Sequence, residues 1–176
     1  MNLLIAALTL GLIFAILALG VYISFKIFNI PDITAEGSIT LGGAVAAALI
    51  LAGFGPVTAT IVAVIAGMGA GLITGVMATR FSIQPLLAGI LTMTALYSIN
   101  LRVMDRSNLP IDSEQSLTRY ADQLGHALFG SELSVDIAGW AVSVHDFSVL
   151  LAMLIMVVIT GAIIYWFFQT ELGSAM

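Results

Sequence analysis

Long apolar runs alternate with short polar interruptions along this chain, and the lengths of the runs predict membrane-spanning helices. Residues 3–25 carry no charge, and as a helix they measure about 34 Å, enough to cross a hydrocarbon core of about 30 Å. Lys26 ends that run. A second uncharged stretch, 39–79, is cut by Gly53-Phe54-Gly55-Pro56 into 39–52 and 57–79. The first of these pieces is about 21 Å long as a helix, short for a full crossing. Arg80 precedes a third run, 81–101, in which Gln84-Pro85 suits the first turn of a helix. The last run, 147–168, closes on Tyr165-Trp166-Phe167-Phe168, an aromatic group suited to a membrane–water interface. The pattern predicts an all-α integral membrane protein with about five membrane segments, one of them short or discontinuous.

The discontinuity is expected within 29–43. Pro31 removes a backbone donor and disfavours helical geometry at Ile30. Gly37, Gly42 and Gly43 permit close backbone approach, while Ser38 and Thr40 are expected to bond free amides where a helix restarts. Irregular backbone in lipid requires a surrounding of protein or a water-filled cavity, and transporters build substrate sites from such broken helices. Asp32 and Glu36 lie in this break, either as pathway groups or as solvated carboxylates in a turn beside Lys26. The helix at 57–79 carries Ala63, Gly67, Gly71 and Gly75 at four-residue spacing, a small-residue stripe that favours close helix packing. The helix at 81–101 holds Thr92, Thr94, Tyr97, Ser98 and Asn100. Hydroxyls in such helices bond to their own backbone or to a neighbouring helix. The residues expected to face a solute pathway are Asp32, Glu36, Ser38, Thr94, Tyr97 and Asn100.

Residues 102–146 are polar, with three arginines against seven acids. Within them Leu117, Tyr120, Leu124 and Leu128 recur at helical spacing, which predicts a short amphipathic helix lying on the membrane or capping the bundle. Residues 134–144 suit a small hairpin around Gly139. The whole chain reads as a single membrane domain over 1–176, with 102–146 as an external polar loop.

Composition agrees with the pattern. The 176 residues are 60% hydrophobic and 9% charged, against about 25% charged in ordinary globular chains. The net charge of −5 is concentrated in the polar loop and offers no nucleic-acid surface. There is no cysteine, so disulfides and thiolate chemistry are excluded. His145-Asp146 lacks the further ligands that a metal site needs. No phosphate-binding glycine loop occurs, so the chain by itself does not use ATP. Neither an enzymatic activity nor a cofactor nor a metal is expected. The five basic residues leave the orientation open: Lys26 and Arg80 fall on one side of five crossings, Arg102, Arg106 and Arg119 on the other.

The run LTLGLIFAILALGVYISFKIFNIPDITAEGSITLGGAVAAAL, with Asp32, Gly37, Ser38 and Gly42-Gly43 in its broken segment, resembles the start of permease subunits from the branched-chain amino acid and ribose group of ABC importers. GILTMTALYSINLRVM (89–104) and SNLP (107–110) are similar to the branch linked with tryptophan or tyrosine uptake. The resemblance implies a permease that passes a small solute, an amino acid, received from an extracellular binding protein. It further implies a cytosolic ATP-binding subunit and a second permease copy, in the bacterial cytoplasmic membrane. Glu171, Leu172 and Gly173 look like the opening of the cytoplasmic coupling loop, which places Glu171 inside the cell. Because the family's second group of helices is not in this sequence, the chain is expected to be an amino-terminal portion. The competing expectations are an ion-coupled carrier or channel assembled from copies of the chain, and a non-transporting membrane protein.

Overall fold

The computed structural model describes residues 2–27, 29, 32–112, 116–129, 134–137 and 140–171. Their order is α1 (Asn2–Tyr22), a π-helical turn (Ile23–Ile27), α2 (Thr34–Leu51), α3 (Pro56–Thr79), α4 (Pro85–Met104), α5 (Thr118–Phe129), β1 (Ser134–Ile137), β2 (Trp140–Ser143) and α6 (Val144–Gln169). Among the described residues, five helices are long and apolar enough to cross a membrane: α1 with its π turn, α2, α3, α4 and α6. The fold is that of an all-α membrane protein, with a hairpin in the polar loop. There Ser134 pairs with Ser143 and Ile137 with Trp140, antiparallel. Gly139 lies outside the described residues.

The second spanning helix starts at Thr34 rather than Ile39, so the segment read as 14 residues long has 18, about 27 Å at helical rise. Two features let the helix begin early. The Asp32 carboxylate accepts from the Thr34 amide at 2.8 Å, satisfying one donor that has no intrahelical partner. Glu36 sits in the first turn, where a negative charge is favoured by the helix dipole. Ser38 and Thr40 do not bond free amides, contrary to the sequence expectation. Ser38 Oγ donates to the Thr34 carbonyl at 2.8 Å and Thr40 Oγ1 to the Gly37 carbonyl at 2.8 Å, because both positions are already inside the helix. Ile30 and Pro31 lie outside the described residues.

At the other end of α2, Gly53 adopts φ +89°. Its amide bonds the Ile50 carbonyl, and the Phe54 amide bonds that of Leu49; this is a Schellman closure that glycine makes without strain. Pro56 then opens α3 in its first turn, where its missing N–H costs nothing. The result is a tight helical hairpin cut where the sequence pattern places the cut.

Contacts divide the chain into two compact units, residues 20–116 and residues 1–19 with 117–176. In the first, α2 lies antiparallel to α3 and parallel to α4. The register follows from the closest approaches: Gly42 faces the Ala63 carbonyl and Gly67 the Ser38 carbonyl, while Gly37 faces Met93 and Gly89 faces Ile33. Leu41, Ala70 and Leu96 form the buried core, with Val45 and Ala66 against it.

In the second unit, α5 packs on the start of α6. Gly125 comes so close to Ser148 that an added Cβ would sit 2.7 Å from the serine Cβ. His145 Nδ1 donates to Asp122 Oδ1 at 2.7 Å, and Ser148 Oγ donates to the same oxygen at 3.0 Å. His145 therefore pairs with Asp122 rather than with its neighbour Asp146. Among the described residues no three His, Asp or Glu side chains gather as a metal site would require.

Candidate functional site

Two places on the three packed helices of residues 20–116 gather polar groups from more than one helix. The first is a buried hydroxyl line across all of them. Thr74 Oγ1 on α3 donates to Thr92 Oγ1 on α4 at 2.9 Å, and Thr92 lies 3.9 Å from Met77 Sδ. Thr34 Oγ1 on α2 is 2.9 Å from Thr74 Oγ1. Thr74 Oγ1 also lies 3.4 Å from the Ala70 carbonyl of its own helix. All three threonines are buried. Each polar atom is paired, which is the condition for a polar group to be tolerated there.

Beside this line, a cavity of about 160 Å³ is lined by Asp32, Ser24, Thr74 and Thr79, with Gly71 and Gly75 in its wall. A Cβ at Gly71 or Gly75 would meet nothing within 4 Å. Of the stripe, Ala63 and Gly67 face α2, while Gly71 and Gly75 border open space.

The second place lies farther along α2 and α4. Glu36, Gly37 and Thr40 face Met93, Tyr97 and Asn100 across a cavity of about 380 Å³. Leu101, Met104 and Ser107 complete its wall. That volume is within the range of small-molecule pockets. Asn100 is 7% exposed, and its Nδ2 donates to Thr40 Oγ1 at 3.1 Å. Thr40 Oγ1 also bonds the Gly37 carbonyl at 2.8 Å. In this arrangement Asn100 Oδ1 is buried with no hydrogen-bond partner, at a typical cost of about 1–3 kcal/mol.

Of the residues singled out from the sequence, this cavity gathers Glu36, Tyr97 and Asn100. Asp32 belongs to the smaller cavity. Ser38 lines neither and bonds back along α2. Thr94 is exposed and gives its hydrogen to the Ile90 carbonyl of its own helix at 2.8 Å. Glu171 ends the described chain, and Leu172 and Gly173 lie outside it. The sequence reading missed Thr34 and Thr74 and read Thr40 only as a cap, since a threonine in an apolar helix shows no sign of a partner 40 or 60 residues away.

Comparison with known proteins supplies what geometry alone does not. The sequence profile of the family described as "Branched-chain amino acid transport system / permease component" matches residues 3–176. A tyrosine transport system permease protein of Clostridioides difficile (strain R20291) is 48% identical over 113 residues, covering 64% of this chain and 38% of that protein. An uncharacterized protein of Rickettsia prowazekii (strain Madrid E) is 45% identical over 111 residues, 63% of this chain and 39% of its own length. The chain thus spans about two fifths of the length of these relatives. No solved structure matches it.

Proposed function

This chain belongs to the family of branched-chain amino acid transport system permease components, and on that premise we propose that it is a membrane-spanning subunit of an ATP-driven importer. Its cargo is a small solute, an amino acid, delivered by an extracellular binding protein, in the bacterial cytoplasmic membrane. The match along residues 3–176 carries the reading, and the name of the Clostridioides relative, a tyrosine transport system permease, supports an aromatic amino acid. A cytosolic ATP-binding subunit drives the cycle, and a second permease copy completes the pathway. Glu171, Leu172 and Gly173 open the coupling loop on the cytoplasmic side.

The chemistry of the three-helix unit suits a pathway. Glu36, Tyr97 and Asn100 border one cavity and Asp32 the other, with Ser38 and Thr94 nearby on the same two helices. Polar groups on interrupted helices are the usual material of transporter sites. Gly67 serves helix packing within the unit, while Gly71 and Gly75 border the smaller cavity.

The test is uptake of radiolabelled aromatic amino acid in cells carrying the complete transporter, with the ATP-binding subunit present or deleted. Deletion is expected to abolish uptake. Uptake that continues at the same rate without that subunit overturns the ATP-driven reading.

A further inference from the structure

We propose that α5 is an interfacial helix. It lies in the membrane surface at the amino end of α6, with Leu117 and Tyr120 among the lipids and Asp122 holding it to the span. The first support is the side of α5 that packs. The residues set against α6 are small or polar: Ala121 and Gly125 are buried, and Asp122 accepts from His145 and Ser148. The apolar stripe that spacing marks at positions 117, 120, 124 and 128 is centred about 100° round the helix from that contact. Leu117 and Tyr120 of that stripe are exposed, at 41% and 46%.

The second support is direction. Gly125 lies against Val144 and Ser148, while Thr118, about two turns earlier, borders a cavity with His145, Asp146 and Val149. α5 therefore crosses the first turns of α6 instead of running along it. For two right-handed helices, contacts in this order turn the apolar stripe toward the carboxyl end of α6, into the bilayer, and turn Arg119 and Gln123 toward water. The third support is depth. Counted back from Tyr165, exposed near the far end of α6, a hydrocarbon core of about 30 Å takes about 20 residues and ends at His145. The α1 span gives the same level. The cavity that Thr118 and His145 border, about 220 Å³, is also lined by Ile5, Thr9 and Leu10, just inside the start of the uncharged run. α5 thus meets α6 at the boundary of hydrocarbon and headgroups. Tyrosine is a residue of that boundary, and an amphipathic helix with its apolar side in the lipid is the form that binds there. A soluble partner would approach from the water side, where Arg119 and Gln123 lie.

Because the sequence has no cysteine, single replacements carry a nitroxide without interference. Leu117→Cys, Arg119→Cys, Tyr120→Cys and Gln123→Cys are spin-labelled one at a time in vesicles of phosphatidylethanolamine and phosphatidylglycerol, in the chain alone and in the assembled transporter. All four positions are exposed, so the label displaces no packing. Collision with oxygen, which concentrates in lipid, is compared with collision with a water-soluble nickel chelate. The oxygen-to-nickel ratio is expected to be several-fold higher at 117 and 120 than at 119 and 123, in both preparations. That alternation within one helix also shows α5 folded in the labelled variants. Equal ratios at the four positions overturn the proposal, because the stripe then has no lipid side. Protection of 117 and 120 from both reagents, in either preparation, overturns it as well, because protein then covers the stripe.

Discussion

A methyl group added at Gly37 would sit 3.0 Å from Leu96 Cδ1 and 3.3 Å from the Cα of Met93. Leu96 is buried in the core, and the second neighbour is backbone, so neither yields freely. At Gly89 the nearest atoms are the Ile33 amide nitrogen at 3.3 Å and Asp32 Oδ1 at 3.4 Å, the elements that fix the start of α2. Overpacking of this kind costs about 1–3 kcal/mol, and Gly37→Ala is expected near the lower end. Gly71→Ala and Gly75→Ala meet open space and are expected to leave the fold unchanged or slightly firmer, by up to about 1 kcal/mol from helix propensity. Thermal or denaturant unfolding in detergent measures all four. A loss at Gly71 equal to that at Gly37 would show that the register of α2 on α3 is wrong. The sequence marked Gly37 as part of a break, and its role is close approach within a helix. Gly89 carried no mark, because an isolated glycine in an apolar run does not reveal which backbone faces it.

The elements themselves were largely legible. Charges at Lys26, Arg80 and Arg102 and the Gly53–Pro56 turn punctuate the apolar runs, and periodicity needs no tertiary information. The start of α2 was the exception. The polar run from Asp32 to Ser38 reads as broken, yet Asp32 caps an amide and Glu36 meets the helix dipole. Contacts between elements were not legible. Thr92 and Thr94 look alike in the sequence, but Thr92 bonds across to α3 and Thr94 to its own helix. The difference predicts unequal losses. Thr74→Val removes the hub between α2 and α4 at constant shape and leaves Thr34 without its partner; interhelical hydrogen bonds of this kind average about 0.6 kcal/mol and reach about 1.7, so about 1 kcal/mol is expected. Thr94→Val is expected to change stability by no more than a few tenths of a kcal/mol, as suits an exposed position. Unfolding of the two variants side by side decides it, and equal losses would remove the hydroxyl line as a stabilising contact.

At the scale of the whole molecule, the question is which ends of the helices share a side of the membrane. The basic residues answered poorly from the sequence because only five exist, and Arg102 and Arg106 stand near the end of α4, where they count against the orientation that the family resemblance implies. Helix register is more informative. Since α3 runs antiparallel to α2 and α4, and α2 at 18 residues is about 27 Å long, all three cross together if any of them does. Two crossings then separate Lys26 from Arg80, and three separate Lys26 from Arg106. The absence of cysteine makes this directly measurable with single replacements. With a membrane-impermeant maleimide, Arg106→Cys is expected to label in intact cells, and Lys26→Cys and Arg80→Cys only after permeabilisation. Were α2 instead a re-entrant segment, one crossing would separate Lys26 from Arg80 and the two would label from opposite sides. That outcome would overturn the five-crossing arrangement and with it the cytoplasmic placement of Glu171 by crossing number.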